Sequence, residues 1–395
     1  MNGNHRNLLS LLLVTIVSTG LTMVSSFLLA HLLTVDERGA FQLFVTAVTY
    51  VVTVGAGGVG FALALCMRRK QYHYWRYYVF GFLIIAALVA VLALCLFNIT
   101  DLHALFVLNV VLTAVLTITL ENSKIDANLG VYRLLSLQQP ILAVLLYGVY
   151  YMLFGEQHIA AVVYLLTALT AVQALCCLYY LGKIETKFKR ENEITDIDLR
   201  FFGKNWIKQN LLQTFGATTV NLDKFLIVSL MGNYTLGLYT VCIAFDALLT
   251  KFINMLADYY YSGLLNNINR IKPVLVLIAA MSIGAVAIVP VLAEAVVTFF
   301  FGARYAQAAP ALLLFIINSI LAGLSWVLSQ NMLILGKQVL LFTRQLISIF
   351  VLVLLFFCFK TQGLYGVGYA LIGASLTRLL ISIVYYYKFP VAQSV

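Results

Sequence analysis

The sequence predicts an all-α polytopic membrane protein of about twelve transmembrane helices, arranged as two six-helix halves. Three observations carry that prediction. The first is composition: 63% of the 395 residues are hydrophobic and 10% are charged, whereas a soluble domain carries about 25% charged residues. The second is run length. The apolar stretches are continuous over about 20 residues, the length that spans a bilayer as helix, and not the alternating runs of about ten residues that mark barrel strands. The third is an internal echo. Leu32, Leu33, Gly39, Ala40 and Phe41 align with Leu230, Met231, Gly237, Leu238 and Tyr239, 198 residues later. Each passage ends an apolar run, turns with a Gly, and opens the next run on an aromatic, as expected of a duplicated helix bundle.

The spans follow in order, with ends uncertain by a few residues. The run 8–33 is too long for a signal-peptide core and no small-x-small cleavage site follows it, so it reads as a retained span. In 41–67, Ala56, Gly60 and Ala64 recur every four residues as a helix-packing face. Spans 76–98 and 102–122 follow, the latter with Asn109, Thr113, Thr117 and Glu121 on one face. Spans 132–154 and 159–182 complete the first lobe, 1–182. The segment 183–207 is the longest hydrophilic stretch, with seven Lys/Arg (counting Lys208) and five acids, and reads as an amphipathic cytoplasmic connector. The second lobe, 208–395, holds spans 208–232, 236–260, 273–300, 307–335, 339–359 and 363–388. Pro140 and Pro290 lie within spans, either as kinks of moving helices or as tolerated membrane prolines.

The net charge of +10 is spread over loops, not clustered as for nucleic acid. With the N-terminus cytoplasmic, the inner loops and termini hold 19 of the Lys/Arg. The outer loops hold Arg38, Arg304 and Lys360, and the spans hold Lys224, Lys251 and Arg378. The positive-inside rule then puts both termini in the cytoplasm. An even number of spans per half makes the repeat parallel. The six cysteines fall within apolar runs and read as small buried side chains. No His/Cys spacing suits a metal, no catalytic signature stands out and no cofactor is implied.

Charges inside spans are costly and usually face a bundle interior or water. In span eight Asp246, Thr250, Asn254 and Asp258 recur every four residues, with Lys251 joining their face. This face reads as the lining of a hydrated path. Span seven carries Gln213, Asn221, Asp223 and Lys224, and span twelve carries Ser375, Arg378, Ser382 and Tyr385. Asp223, Lys224 and Asp246 lie at similar depth and also suit a structural lock between spans seven and eight. Ser18, Thr22 and Ser26 of span one suit either packing or lining. Lys251 and Arg378, each about fifteen residues from the outer end of its span, suit an anion such as a phosphate.

Three passages resemble the Wzx-type polysaccharide flippases of the multidrug/oligosaccharidyl-lipid/polysaccharide exporter superfamily. They are 28–41 (LLAHLLTVDERGAF), 221–239 (NLDKFLIVSLMGNYTLGLY) and 301–337, which opens FGARYAQAAP and ends QNMLILGK. The resemblance implies two six-helix lobes in a V around a central cavity. It also implies alternating-access flipping of oligosaccharide on undecaprenyl diphosphate from the cytoplasmic to the periplasmic leaflet of a bacterial inner membrane. Lys224, Lys251 and Arg378 would attract the diphosphate, and Asp246 or Asp258 would carry a counter-ion. Unlike some relatives, span one has no cation between Arg6 and His31 near its ends. The expected partners are the lipid-linked oligosaccharide, membrane lipids, and the polymerase and chain-length regulator of the pathway.

Two rival functions are weaker. A cation-coupled drug exporter of the same superfamily would share the fold and use acids such as Asp246 and Asp258. A membrane polymerase or glycosyltransferase would need a large outer loop. The outer loops here are short, and Asp36–Glu37, an acid pair of the kind some transferases use, reads as a solvated turn. The chain is therefore expected not to be an enzyme.

Overall fold

The computed structural model of the chain describes residues 3–96, 102–125, 129–189, 195–265 and 268–390. Ten segments are long and apolar enough to cross a membrane, and the last of them, Gln338–Lys388, contains two helices. One further helix of membrane length, at Leu199–Met231, is not among the ten. It corresponds to span seven of the sequence reading, and its polar Lys204, Lys208, Asn210, Gln213, Asn221, Asp223 and Lys224 account for the shortfall. The protein is an all-α polytopic membrane protein. Calls on 97–98 and on 190–194 of the connector lie outside the described residues.

The chain forms two compact units, Met1–Lys224 and Phe225–Val395. The division falls inside the Leu199–Met231 helix.

The first unit contains α1 (Gly3–Leu32), α2 (Val35–Ala56), α3 (Val59–Arg68), β1 (Gln71–His73), α4 (Trp75–Leu96), α5 (His103–Ser123), α6 (Gly130–Phe154), α7 (Ile159–Lys189), β2 (Thr195–Asp196) and α8 (Leu199–Met231) as far as Lys224. Helix α5 is its hub, packing on α2, α3, α4 and α7, while α1 lies along α6. A small cluster of Val115, Leu116, Leu135, Ala174 and Cys177 fills the space between α5, α6 and α7. The short parallel pair β1–β2 ties the basic 68–76 turn to the segment before α8.

The second unit contains the end of α8, α9 (Asn233–Leu265), α10 (Ile271–Phe301), α11 (Ala309–Ile334), α12 (Gln338–Phe359) and α13 (Gly363–Lys388), with short 3-10 helices at Ala303–Ala308 and Lys360–Gln362. Helix α11 is the hub here, packing on α9, α10 and α13, with α12 against α13. The neighbour scheme of α2 to α7 therefore recurs in α9 to α13. In lipid no hydrophobic force separates helices from their surroundings, so close packing and interhelical hydrogen bonds hold such hubs. Buried Ile253, Ala257, Tyr260, Ile278 and Val327 supply the packing between α9, α10 and α11.

The echoed passages are local twins. α1 ends at Leu32 and α2 begins at Val35; α8 ends at Met231 and α9 begins at Asn233. In the first, Thr34 and Glu37 form a capping box, which satisfies orphan amides at the start of α2. Glu37 also accepts from His158 Nδ1 at 3.1 Å. The acid pair Asp36–Glu37 thus opens a helix, with Glu37 employed as a cap. Of the cysteines, Cys66, Cys177 and Cys242 are buried, but Cys95, Cys176 and Cys358 are exposed on the outer faces of their helices, a correction to the expectation that all six are interior.

Candidate functional site

The first unit breaks its second span. Gly57 and Gly58 interrupt the helix between α2 and α3, with Gly58 at φ 79°, a conformation that glycine adopts without steric cost. A break inside a membrane leaves amides and carbonyls that must find partners within the protein. Glu121, at the end of α5, supplies the acceptors: Oε1 takes Gly58 N at 3.1 Å and Oε2 takes Phe61 N at 3.3 Å. Asn210 of α8 supplies the donor, its Nδ2 reaching the carbonyls of Thr53, Val54 and Gly57 at 2.9, 3.2 and 3.0 Å. Gln213, nearly one turn on, donates to Glu121 Oε1 at 2.6 Å. Gly60 lets α3 approach α5 so closely that a Cβ there would lie 2.1 Å from the Ile118 carbonyl oxygen.

Glu121 and Gln213, expected as cavity-lining or coupling candidates, therefore serve as a helix-break brace. Of the rest of the α5 stripe, Asn109 is fully buried and bonds Thr167 and Thr170 of α7, while Thr113 and Thr117 are half-buried. In α1, Ser18 donates to the Ser136 carbonyl of α6, and Ser26 accepts from Arg38 Nη2 at 2.8 Å. Arg38, assigned to an outer loop from sequence, is buried in the first turn of α2.

On α8, Lys224 is held by its own helix, with Nζ 3.3 Å from Asp223 Oδ1 and 2.9 Å from the Val220 carbonyl. Asn221 donates to Ala217 O. Asp223 pairs with Lys224, and Asp246 accepts from Ser319 of α11.

The second unit concentrates its polar groups along α11. Next to Ser319, Asn318 accepts from Ser375 of α13 at 2.6 Å, and Ser375 accepts from Arg378 Nη2 at 2.8 Å. Further along α11, Ser325 and Ser329 face Ser382 of α13. Into this trio reaches Arg344 of α12. Its Nη1 donates to Ser382 Oγ at 2.7 Å, to Ser325 Oγ and O at 3.1 and 3.2 Å, and to Ser329 Oγ. A last pair, Tyr260 OH to Asn331 Oδ1 at 2.8 Å, closes the series.

Arg344 is only 6% exposed. Sequence reasoning missed it because it lies six residues into α12 and was counted with the inner-loop charges. The available signal was the serine pair at Ser325 and Ser329, one turn apart on a neighbouring run, with Ser382 at the matching depth of the last run.

Lys251, Asn254 and Asp258 lie on the exposed face of α9, opposite the buried Ile253, Ala257 and Tyr260, with Thr250 half-buried at its edge. Lys251 stands 18 residues from one end of this 33-residue helix and 14 from the other, near its middle. Arg378 instead turns toward Ser375 and the α11 layer. Lys251 lies on the exposed face of α9, while Arg378 is half-buried and donates to Ser375.

The fold has known counterparts. A structure described as the inward-facing conformation of a multidrug resistance MATE family transporter of the MOP superfamily matches 94% of this chain and 93% of its own, with a TM-score of 0.67 and 15% identity. An outward-facing structure, also described as a MATE family transporter of that superfamily, matches 96% and 93%, with TM-score 0.58 and 13% identity. This chain shares the fold of MATE transporters. A third structure, a MOP superfamily transporter from Pyrococcus furiosus whose description reports a reversed polarity of the binding pocket and suggests a different function, matches 97% and 92%, at TM-score 0.50 and 15% identity. No family model and no curated protein matches the sequence.

Proposed function

We propose that the protein is an alternating-access transporter that moves an anionic, lipid-linked oligosaccharide outward across a bacterial inner membrane, with both termini cytoplasmic. The observation that carries this reading is the face of α9. It exposes Lys251 near the middle of the helix, where contact with lipid would be expensive for a charge, with Asn254 and Asp258 following about one and two turns toward its C-terminal end. Such a face requires a hydrated space, and a polar headgroup on an apolar tail requires one too. The whole-length fold likeness to transporters described in inward- and outward-facing states supports a transport cycle and argues against an enzyme. The resemblance of 28–41, 221–239 and 301–337 to polysaccharide flippases supports the cargo.

In this reading Lys251 attracts the diphosphate while Asn254, Thr250 and Asn221 offer polar contacts to sugar. Arg378, Lys224 and Asp223 are structural or act through neighbours. The inside-negative potential would favour expulsion of an anion by about 2.3 kcal/mol per charge per 100 mV. The pathway's polymerase and chain-length regulator are natural partners.

The test is genetic. Lys251→Ala is expressed in the source strain with its own copy deleted, and surface polysaccharide is measured. Loss of polymer at normal protein level is expected, and wild-type polymer would remove Lys251 from the mechanism. One observation favours a second reading. Asp258 is exposed on the same face and would suit a cation-coupled exporter of small molecules. Dye efflux that depends on Asp258, with normal polymer from a deletion strain, would select it.

A further inference from the structure

From the geometry of α11, α12 and α13 we infer a binding site for a small monovalent anion of the chloride class inside the second unit, held by Arg344 and Arg378. The inference does not depend on the cargo proposed above.

The argument begins with charge. A guanidinium stays protonated under any physiological condition, so a buried one must be paired or pay heavily in desolvation. Arg344 is buried and Arg378 half-buried, one turn before Ser382, to which Arg344 bonds. Among the described residues neither has a carboxylate within ion-pair reach. Their partners are four serine hydroxyls and one carbonyl, all neutral. Two of those hydroxyls have already given their protons to the backbone: Ser382 Oγ donates to Arg378 O at 2.8 Å and Ser329 Oγ to Ser325 O at 2.5 Å. The serines therefore orient the cations without cancelling them.

Donors remain to be used. Nε of Arg344 and Nε of Arg378 are both buried and both lack a hydrogen-bond acceptor. Two like charges on adjacent helices with unspent N–H groups define an anion site by chemistry. Burial defines its size. With Arg344 6% exposed, a diphosphate headgroup would not enter, and a divalent anion would surrender far more hydration than two partly satisfied guanidiniums return. A single small halide meets both limits. Its role would be to hold α12 against α11 and α13 by neutralising the pair.

The test uses the purified full-length protein in detergent. Melting temperature is followed while sodium chloride replaces sodium gluconate at constant ionic strength. A saturable rise of several degrees is expected, with bromide substituting and gluconate inert. Arg344→Met should abolish the rise and leave the gluconate baseline equal or higher, since an unpaired charge has gone. Ser382→Ala, which keeps both arginines, should shift the titration to several-fold higher chloride, and it decides the matter if Arg344→Met does not fold. Identical melting of the wild type in chloride and gluconate overturns the site. So does a chloride response that both variants retain unchanged.

Discussion

Replacing Glu121 tests the brace at the broken second span. Its carboxylate accepts three hydrogen bonds, from Gly58 N, Phe61 N and Gln213 Nε2, in a residue that is 9% exposed. Hydrogen bonds to a charged acceptor contribute about 1.5–3 kcal/mol each. Glu121→Gln keeps one oxygen, enough for Gly58 and Gln213, but turns an amide NH₂ toward the Phe61 N–H. It should cost one such bond, about 2 kcal/mol. Glu121→Ala removes the acceptor of all three bonds and orphans two backbone amides at a largely buried position. Gln213 can rotate away, so the sum is not additive, and a loss of about 3–5 kcal/mol is expected. At about 2 °C per kcal/mol for a protein of this size, the apparent melting temperature in detergent should fall by roughly 4 °C for Gln and 6–10 °C for Ala. Gln213→Ala combined with Glu121→Ala should cost less than the sum of the two. An Ala variant that melts within a degree of wild type would refute the claim that this acid exists to hold a helix break.

Other consequences are as specific. Asn210→Leu removes the donor shared by three carbonyls at the end of α2 and should cost about 1–3 kcal/mol, read by the same melting assay. Gly60→Ala places a methyl against the Ile118 carbonyl and should lower stability by about 1–3 kcal/mol or more. Gly81→Ala on α4, which meets open space, should be neutral or stabilising by up to about 1 kcal/mol. Tyr260→Phe deletes the bond to Asn331 inside a packed cluster and should cost about 1 kcal/mol, with equal melting as the contrary result.

What the sequence revealed follows from the scale of each signal. A run of twenty apolar residues has one stable solution in lipid, so the helices and their order were legible, as was the turn repeated at Leu32–Val35 and Met231–Asn233. The packing residues Ala56 and Gly60 of span two were legible too, because small residues at spacing four have few other uses. Individual polar residues were not. Glu121 on its stripe looks like a lining residue, and only the position of Gly57–Gly58, 63 residues earlier, gives it a different task. Arg344 sits near the start of its run, where sequence charge counting reads a cation as a loop residue. Its partners lie 15 to 38 residues away on two other helices. Asp246 and Lys251 fell on one stripe by periodicity, yet a helix face is wide. Asp246 lies against α11 while Lys251 lies outward. Whether a side chain is spent on a neighbour or left for a ligand is a tertiary property, and periodicity narrows the choice without making it.

The gap in the second span also bears on biogenesis. The asparagine that closes off α2 is encoded 153 residues after the glycine whose oxygen it meets. At about 5–20 residues per second of synthesis, the ribosome needs roughly 8–30 s to deliver it. Through that interval the nascent chain holds bare peptide groups at a level where oil offers nothing to bind them. Release of the early helices into lipid before the eighth helix arrives would leave those carbonyls without the donor that the finished fold gives them.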